Sequence, residues 1–531
     1  MLAVAMASTL HGHHLIGNTR SGDPAADTFQ AANPATGEAL APPFREATEA
    51  EIDRALTLAE DAFLPYRQLP AEARAQFLEA IADRVEGLGD ELLERAHAET
   101  ALPLARLTGE RARATGQARG FAALVREGHW TDARIDRAQP DRTPLPKPDV
   151  RSLMVPLGPV VVFGASNFPF AISVIGADTV GALGAGCPVV VKAHPAHPGT
   201  CELLARAVLA AAADCDLPEG VFSMVHGRGT GVGGALVQHP LTRAVAFTGS
   251  LAGGRALYDL AARRPRPIPV YAEMGSVNPV FLLPGALAER AAGIAAGYIQ
   301  SVTLGVGQFC TNPALVFGLK SEPMKTFLDQ AAAAAAEVAP ASMLHAGIHR
   351  AYVDGVRSRL DADGLQPAGQ SAKPAAETAS EGACQLFHAD ADAVRQRPEL
   401  FFEELFGPSS TVVTCTEPAE FEEFARRLDG SLTATVHGTE ADLETHAGLI
   451  RILETKVGRL IFNGFPTGID VCDAMHHGGP YPATTHPFFT SIGTRGIYRF
   501  VRPLCYQGWP DARLPPELQD GNPGKLKRME N

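Results

Sequence analysis

The chain has 531 residues, more than one hydrophobic core usually supports, so we expect two or more domains. With 46% hydrophobic and 20% charged residues, its composition is that of an ordinary soluble globular protein. The net charge of −13 and the pI near 5.7 argue against non-specific binding to nucleic acid or to an anionic membrane, so we predict neither partner.

The cysteines and the amino terminus favour a cytoplasmic protein. The eight cysteines include no Cys-x-x-Cys pair, which fits free thiols in a reducing compartment better than a disulfide framework. Residues 1–16 lack the basic start of a signal peptide, and no apolar run approaches the ~18 residues of a membrane span. His11, His13 and His14 could suggest a metal site, but we expect a frayed terminus there.

The first third of the chain reads as mostly helical over residues 40–130. Thr48 and Glu51 form a capping-box pattern, and apolar residues recur at helical spacing after it. Residues 136–150 are rich in proline and predict an extended connector.

From residue 159 the pattern changes to short apolar runs separated by helical stretches. The runs are residues 160–163, 188–191, 221–225, 244–247 and 269–272. Continuous apolar strands of this length are typical of a parallel sheet buried on both faces. Each interval leaves room for one crossover helix, which predicts a doubly wound α/β fold.

The remainder repeats this rhythm after Asn278. A helix is predicted around residues 331–336, ending at Pro340. Residues 361–383 are small and polar and predict a surface excursion, and the polar residues 515–531 are also expected on the surface.

Two segments carry residues suited to nucleophilic chemistry. Residues 307–313 read Gly-Gln-Phe-Cys-Thr-Asn-Pro and present Cys310, while residues 271–279 read Tyr-Ala-Glu-Met-Gly-Ser-Val-Asn-Pro and present Glu273. Thiol catalysis needs a thiolate and a base for later proton transfer. A single cysteine is more often a buried small hydrophobe, so the assignment depends on the accompanying motifs.

Asn167 follows the first apolar run, in the segment Gly-Ala-Ser-Asn-Phe-Pro-Phe at residues 164–170. A side-chain amide at the carboxyl end of a strand can donate a hydrogen bond to a developing oxyanion. The alternative is an asparagine that only caps its loop.

Three further segments suit a dinucleotide. Lys192 closes the second strand, where an ammonium can meet a ribose hydroxyl or a phosphate, although a solvated lysine is the alternative. Gly249, Ser250 and Gly254 precede a helix, whose amino terminus favours a pyrophosphate. The Gly-Arg-Gly-Thr-Gly stretch around Arg228 is also phosphate-like, or is a flexible turn.

Taken in order over residues 30–515, these motifs resemble the aldehyde dehydrogenase superfamily. Residues 163–169, 192–200 and 308–313 are similar to its NADP-type branch, which holds alpha-ketoglutaric semialdehyde (2,5-dioxopentanoate) dehydrogenases and a related long-chain aldehyde dehydrogenase. The stretches at residues 463–468 and 476–482 resemble late catalytic-domain segments. Ala165-Ser166 stands where many relatives have Pro-Trp, which leaves the width of the substrate tunnel open.

The resemblance implies an α/β fold with three parts. They are a Rossmann-like cofactor domain (residues 1–140 and 159–275), a catalytic domain (276–493), and a small β oligomerisation element (141–158 and 494–515) followed by a polar tail (516–531). A homodimer or homotetramer is implied as well.

The resemblance also implies a mechanism. Cys310 attacks the aldehyde, Asn167 and the Cys310 N–H stabilise the oxyanion, hydride leaves for the nicotinamide, and Glu273 activates the water that hydrolyses the thioester. Glu404 and Phe406 stand where the family holds the nicotinamide ribose. NADP is expected over NAD, which remains possible, because Pro195 replaces a common acidic residue.

The cofactor-binding residues implied in this way are Lys192, His194, Arg228, Gly249, Ser250, Gly254, Glu404 and Phe406. The leading substrate is 2,5-dioxopentanoate, whose distal carboxylate needs a cation or amide partner. Arg113 and Gln117 share one helix face and are the candidates, although solvated surface residues are the alternative.

A long-chain aldehyde would instead need an apolar tunnel, which Phe168, Phe170 and Phe465 could line. We expect no metal: His476 and His477 are interpreted as structural, although Cys472 and Asp473 lie nearby in sequence. Two rival classes are a catalytically silent relative and a thiol hydrolase without a redox cofactor.

Overall fold

The computed structural model describes residues 9–376 and 379–530. Two seven-stranded sheets with helices packed on them form the centre of the molecule, and a four-stranded sheet joins distant parts of the chain. The predicted α/β fold is confirmed.

The amino-terminal part contains two short hairpins followed by four helices. In chain order the elements are β1 (His14–Ile16), β2 (Thr19–Ser21), β3 (Thr28–Ala32), β4 (Ala39–Arg45), α1 (Glu49–Arg67), α2 (Ala71–Glu86), α3 (Gly89–Thr100) and α4 (Leu104–Glu127). The capping box at the start of α1 is present, with the Thr48 N–H donating to Glu51 Oε2 at 3.0 Å.

The first large sheet follows a connector that carries two strands of the small sheet. The elements are β5 (Arg134–Asp136), β6 (Val150–Pro156), β7 (Val160–Phe163), α5 (Ala177–Ala185), β8 (Val189–Lys192), α6 (Pro198–Asp214), β9 (Phe222–Val225), α7 (Gly231–Gln238), β10 (Ala244–Thr248), α8 (Leu251–Ala262) and β11 (Val270–Glu273).

This sheet has the strand order β11-β10-β7-β8-β9-β1-β2, and β7 to β11 are parallel. The five predicted strands are confirmed, each within one residue of its expected bounds. The carboxyl ends of β7, β8, β10 and β11 point to one edge of the sheet, so the segments after them meet there.

The expected frayed terminus at His11, His13 and His14 is wrong. β1 pairs antiparallel with β9 and with β2, which extends the sheet by two strands. His14 is fully buried, and its Nε2 lies 3.4 Å from a carboxylate oxygen of Glu51.

The second large sheet occupies the following part of the chain. Its elements and their neighbours are β12 (Val280–Leu282), α9 (Pro284–Thr303), β13 (Leu315–Leu319), α10 (Glu322–Glu337), β14 (Ala341–Ser342), α11 (Ala346–Leu360), β15 (Gln366–Gln370), β16 (Glu381–Gly382), β17 (Gln385–Asp390), α12 (Ala391–Gln396), α13 (Glu399–Phe402), β18 (Ser409–Cys415), α14 (Ala419–Arg427), β19 (Ser431–His437), α15 (Glu440–Thr445), α16 (Ala447–Leu453) and β20 (Val457–Phe462).

The order here is β15-β17-β18-β13-β12-β19-β20, parallel except for β15. The described residues of the segment 361–383 are mostly exposed or half-buried, as predicted, but residues 366–370 form β15, which pairs with β17 as the edge strand. Its Gly- and Gln-containing sequence hides the strand because an edge position needs no continuous apolar run.

The small sheet has the order β21-β6-β5-β22, where β21 is Val501–Gln507 and β22 is Met529–Glu530. The end of the chain differs from the predicted polar tail, because β22 pairs with β5 and Leu518 is fully buried. The division into domains and the role of this sheet in oligomerisation stay predictions. Among the described residues, no helix combines the length and apolar character that a bilayer crossing requires.

Candidate active site

The site forms where the first large sheet leads into the second. Glu273 is the last residue of β11, and its carbonyl accepts a hydrogen bond from Gly249 N at 3.1 Å. On the other side of β11, Met274 N donates to the Ala483 carbonyl at 2.8 Å. This pairing brings the late segment of residues 477–491 against the edge of the sheet, beside Glu273.

Cys310 lies in a turn that follows α9 and the short 3-10 segment Leu304–Gly307. Asn278, fully buried and with a positive φ of 47°, donates from Nδ2 to the carbonyls of Cys310 (2.8 Å) and Asn312 (2.9 Å). The backbone of the cysteine is therefore fixed by the residues that precede β12.

A histidine lies between the cysteine and the glutamate. His477 Nε2 is 3.4 Å from Cys310 Sγ and 3.0 Å from Glu273 Oε1. Ser491 Oγ donates to the other carboxylate oxygen, Oε2. We predicted a structural role for His476 and His477; the structure corrects this for His477, whose ring contacts both candidate catalytic side chains.

The charges in this cluster favour a neutral thiol beside an ionised carboxylate. Burial alone would raise the pKa of Glu273, but the His477 imidazole and the hydrogen bonds from His477 and Ser491 outweigh it and hold the pKa below its usual range. Burial, followed by the charge of Glu273, raises the pKa of the Cys310 thiol well above its usual range. The thiol therefore needs a base, or a nearby positive charge, before it can attack.

Asn167 lies against the same turn. Its side-chain Nδ2 donates to the Gln308 carbonyl at 3.0 Å, and its backbone carbonyl accepts from Arg106 at 2.9 Å. One Nδ2 hydrogen is used by Gln308, and the amide has a second hydrogen to offer.

Lys192 and Glu404 flank the site on the side of the strand ends. Lys192 is almost fully buried at the end of β8, and burial lowers its pKa to about 8. Burial raises the pKa of the Glu404 carboxyl to about 8, with a further contribution from the charge of Glu273. Gly275 leaves room for the Glu404 side chain, since a Cβ at position 275 would lie 2.8 Å from Glu404 Oε2.

The glycine-containing loop after β10 leads into α8. Ser250 caps this helix, and its Oγ accepts a hydrogen bond from Gly253 N at 3.2 Å. A Cβ at Gly249 would lie 2.6 Å from the Phe247 ring, and one at Gly254 would lie 2.6 Å from Met274. The glycines allow tight packing of the loop, and the exposed amino terminus of α8 remains open to an anion.

The residues considered for a 2′-phosphate lie near Lys192. Burial lowers the pKa of His194 well below its usual range, so the ring is neutral at pH 7, and it stacks on His197. Arg228 is exposed, donates from Nε to Glu46 at 2.7 Å, and lies over the Phe29 ring. Phe406 follows Glu404 by two residues and is half-buried.

A cavity of about 600 Å³ opens beside α4. Arg113 and Gln117 line it, together with residues 469–473 and 493–494. Arg113 Nε and Gln117 Oε1 are both buried without a hydrogen-bond partner. The Arg113 guanidinium also lies over the Phe168 ring at 5.5 Å, and Phe168 packs on Phe309, so Arg113 connects the cavity with the segment that carries Cys310.

The comparisons with known proteins agree with this geometry. The sequence model of the Aldehyde dehydrogenase family matches residues 22–479. The chain belongs to this family. It is an aldehyde dehydrogenase, an enzyme that oxidises an aldehyde to the acid and uses a nicotinamide cofactor.

Two curated relatives are similar over nearly the whole chain. The alpha-ketoglutaric semialdehyde dehydrogenase 2 of Azospirillum brasilense is 51% identical over 505 residues, which cover 95% of this chain and 96% of the relative. The alpha-ketoglutaric semialdehyde dehydrogenase of Acinetobacter baylyi is 45% identical, covering 92% of each. An aldehyde dehydrogenase from Bacillus cereus, solved as an NAD+ complex, shares the fold with a TM-score of 0.78 at 21% identity, covering 93% of this chain and 96% of that one.

The three aromatic residues predicted to line the substrate tunnel of the dehydrogenase lie in different surroundings. Phe168 meets Phe309 edge to face at 5.5 Å, beside the nucleophile. Phe170 is fully buried in the core of the first sheet, and Phe465 packs on Tyr298 and on His437 and is not among the residues that line the cavity. Their contact with a substrate stays a prediction.

Two other arginines of α4, Arg111 and Arg119, are bound to partners away from the cavity. Arg111 donates to the Gly89 carbonyl at 2.7 Å, and Arg119 pairs with Glu86 and Asp83 on the surface. These two are engaged away from the cavity, whereas Arg113 presents an unpaired Nε. The alternative of a solvated surface charge therefore fits Arg119 and not Arg113.

Sequence reasoning missed three polar residues of the dehydrogenase besides His477. Ser491 orients the Glu273 carboxylate, and Arg106 stacks over Phe168 at 4.8 Å while holding the Asn167 backbone. Arg459 is half-buried and donates to the Pro466 carbonyl at 2.7 Å, just before residues 469–473, which line the cavity. Arg106 could have been found, since it precedes Arg113 by two helical turns on α4; Ser491 and Arg459 carry no local signal.

Proposed function

We propose that this aldehyde dehydrogenase oxidises 2,5-dioxopentanoate to 2-oxoglutarate with NADP+. The observation that carries the proposal is that Arg113 and Gln117 line one cavity, while Arg113 also lies over the Phe168 ring, which packs on Phe309 next to Cys310. A semialdehyde with a distal carboxylate can accept hydrogen bonds from the Arg113 guanidinium and from the side-chain NH2 group of Gln117, because an ionised carboxylate is an acceptor only. Two relatives named alpha-ketoglutaric semialdehyde dehydrogenase support the same substrate.

Cys310 is the proposed nucleophile. Its resting thiol is neutral, and Glu273 together with His477 provides the acceptor for its proton within the buried cluster. The Cys310 backbone N–H and the free Nδ2 hydrogen of Asn167 are the proposed donors to the oxyanion that forms on attack. Because Asn278 fixes the Cys310 carbonyl, this donor set is held before the substrate arrives.

Glu273 is proposed to activate the water that hydrolyses the thioester. Its lowered pKa keeps it ionised at neutral pH, and Ser491 and His477 hold one carboxylate oxygen each. His477 is a positioning residue in this scheme, because its Nε2–H orients Oε1 and also lies next to Sγ. A general base of this kind contributes about 10²- to 10⁴-fold.

The residues at the strand ends fit a nicotinamide dinucleotide. Lys192 supplies a buried cation, the open amino terminus of α8 suits a pyrophosphate, and the Glu404 carboxyl accepts ribose hydroxyls. When bound, the cofactor accepts hydride from the thiohemiacetal. We propose NADP+ over NAD+ because Arg228 lies at the end of the strand beside Lys192; Glu46, which pairs with Arg228, opposes this preference.

The substrate assignment is tested by comparing kcat/KM for 2,5-dioxopentanoate, pentanal and decanal with NADP+ in excess. We expect the semialdehyde to exceed both uncharged aldehydes by about 10-fold or more, the value of one charge-assisted contact. A preference for decanal would favour the long-chain alternative. Of the residues expected to line an apolar tunnel, Phe170 is fully buried and Phe465 is half-buried.

A homodimer or homotetramer is the proposed assembly. β21 lies at the edge of the small sheet, and within the described residues its outer side has no strand partner. Light scattering after size-exclusion chromatography tests this, and a monomer at micromolar concentration would contradict it.

A further inference from the structure

The three side chains around the nucleophile also form a potential metal-ligand set. Cys310 Sγ, His477 Nε2 and a carboxylate oxygen of Glu273 all lie within 4.8 Å of one another. Glu273 and His477 are almost fully buried, and Cys310 is half-buried. In the sequence His477 lies near Cys472 and Asp473, whereas in the structure it meets Cys310 and Glu273.

The geometry points to a three-residue zinc site, Cys310–His477–Glu273, at which Zn²⁺ reversibly inhibits the dehydrogenase. A tetrahedral zinc ion with bonds of about 2.3 Å to sulfur and about 2.0–2.1 Å to nitrogen or oxygen separates S and N ligands by about 3.5 Å and N and O ligands by about 3.3 Å. The observed separations are 3.4 Å and 3.0 Å. The third separation, from Cys310 Sγ to the Glu273 carboxylate, is at most 4.8 Å, against about 3.5 Å around zinc, so side-chain movements of about 1 Å suffice to admit the ion.

The charges of the set match a divalent cation. A thiolate and a carboxylate contribute two negative charges and the imidazole none, so the occupied site is neutral, as a buried site requires. Binding releases the Cys310 thiol proton to solvent and moves the ring proton of His477 to Nδ1, which frees the Nε2 lone pair. No electron is transferred.

The surroundings support a zinc ion rather than a harder cation. Ser491 binds the carboxylate oxygen that does not face His477 and so orients the ligand, as outer-shell groups do in metal sites. Mixed sulfur, nitrogen and oxygen ligands suit Zn²⁺, Co²⁺ and Cd²⁺, whereas Mg²⁺ and Ca²⁺ prefer oxygen alone. Three protein ligands leave a fourth position for water.

Inhibition follows from the identity of the ligands. A sulfur bound to zinc cannot attack an aldehyde, and a carboxylate bound to zinc cannot activate water. Zinc and aldehyde therefore exclude each other, so zinc should be a competitive inhibitor with respect to aldehyde and should be removed by a chelator.

The site is tested first by binding, with the full-length protein and ZnCl2 in competition with a fluorescent zinc chelator. We expect one tight equivalent in the wild type and a loss of at least about 100-fold in affinity for Cys310→Ser, His477→Gln and Glu273→Gln. Ser491→Ala should lose about 10- to 100-fold, as is usual for an outer-shell partner. Cofactor binding and circular dichroism confirm that each variant is folded.

The matched control removes the exposed thiols instead. Cys472→Ser with Cys505→Ser should leave the tight equivalent unchanged, since both of those cysteines are exposed and outside the trio. Co²⁺ should give a thiolate-to-metal absorption band in the wild type and in this control, and none in Cys310→Ser. Mg²⁺ and Ca²⁺ should neither compete nor inhibit.

Two results would overturn the proposal. Tight zinc that survives in both His477→Gln and Glu273→Gln and is lost only in Cys310→Ser would mean capture by one thiol. Loss in the Cys472/Cys505 control would place the metal elsewhere. Because these measurements need no turnover, a wrong substrate or cofactor assignment would leave them unaffected.

Discussion

Replacing Arg113 with alanine tests the substrate cavity through a ratio of rates. Arg113 lines the cavity, and its guanidinium carbon lies 5.5 Å from the centroid of the Phe168 ring. A charge-assisted hydrogen bond contributes roughly 1.5–3 kcal/mol, so kcat/KM for 2,5-dioxopentanoate should fall by about 10- to 100-fold.

The substitution has a second effect that the design must separate. The Arg113 charge lowers the pKa of Cys310, so its loss should slow every aldehyde to some degree. Pentanal has no carboxylate, so its kcat/KM measures only the slower attack by Cys310. The ratio of kcat/KM for 2,5-dioxopentanoate to that for pentanal therefore isolates the carboxylate contact. NADPH absorbance at saturating NADP+ measures both.

Arg119→Ala is the matched control on the same helix. Arg119 pairs with Glu86 and Asp83 on the surface, so the ratio should stay unchanged when it is removed. An unchanged ratio in Arg113→Ala, with both substrates slowed equally, would refute the carboxylate pocket.

Three further predictions concern the groups around the cofactor and the base. His477→Gln should shift the acidic limb of the kcat–pH profile to higher pH, because the His477 imidazole is what lowers the pKa of buried Glu273, and an unshifted limb would count against that coupling. The Kd for NADP+ should be constant below about pH 8 and rise by up to about tenfold per pH unit above it. The reason is that the pKa of Lys192 is about 8, so its charge is lost above that pH. Lys192→Arg should extend the range over which the Kd is constant. Arg228→Ala should weaken NADP+ by about 10- to 100-fold with little effect on NAD+, and Glu46→Gln should strengthen NADP+ by freeing Arg228, both measured by calorimetry.

The sequence predicted the buried parallel strands well, because burial on both faces requires a continuous apolar run. It missed β1, a buried strand between β9 and β2, because a run of only three residues that includes His14 is too short to recognise. It missed β15 for a different reason, since an edge strand in a Gly- and Gln-containing segment resembles a loop. An edge strand is specified by its partner more than by its own hydrophobicity.

The candidate site was predictable where motifs follow strand ends. Glu273 and Lys192 terminate strands, so topology alone brings their segments to one edge. His477 was not predictable, because it reaches Glu273 through pairing of Met274 with Ala483, a contact between residues distant in sequence. The sequence does not distinguish Phe168 from Phe170, because the turn after β7 alone directs Phe170 into the core and leaves Phe168 beside the nucleophile.

The most direct test of the account is to capture the thioester on Cys310. Glu273→Gln, mixed with 2,5-dioxopentanoate and NADP+, should release a burst of about one NADPH per subunit, while steady-state turnover falls by about 10²-fold or more. Mass spectrometry of the quenched protein should find the acyl adduct on the peptide that contains Cys310. A burst with no adduct on that peptide, or an adduct on another cysteine, would contradict the central claim.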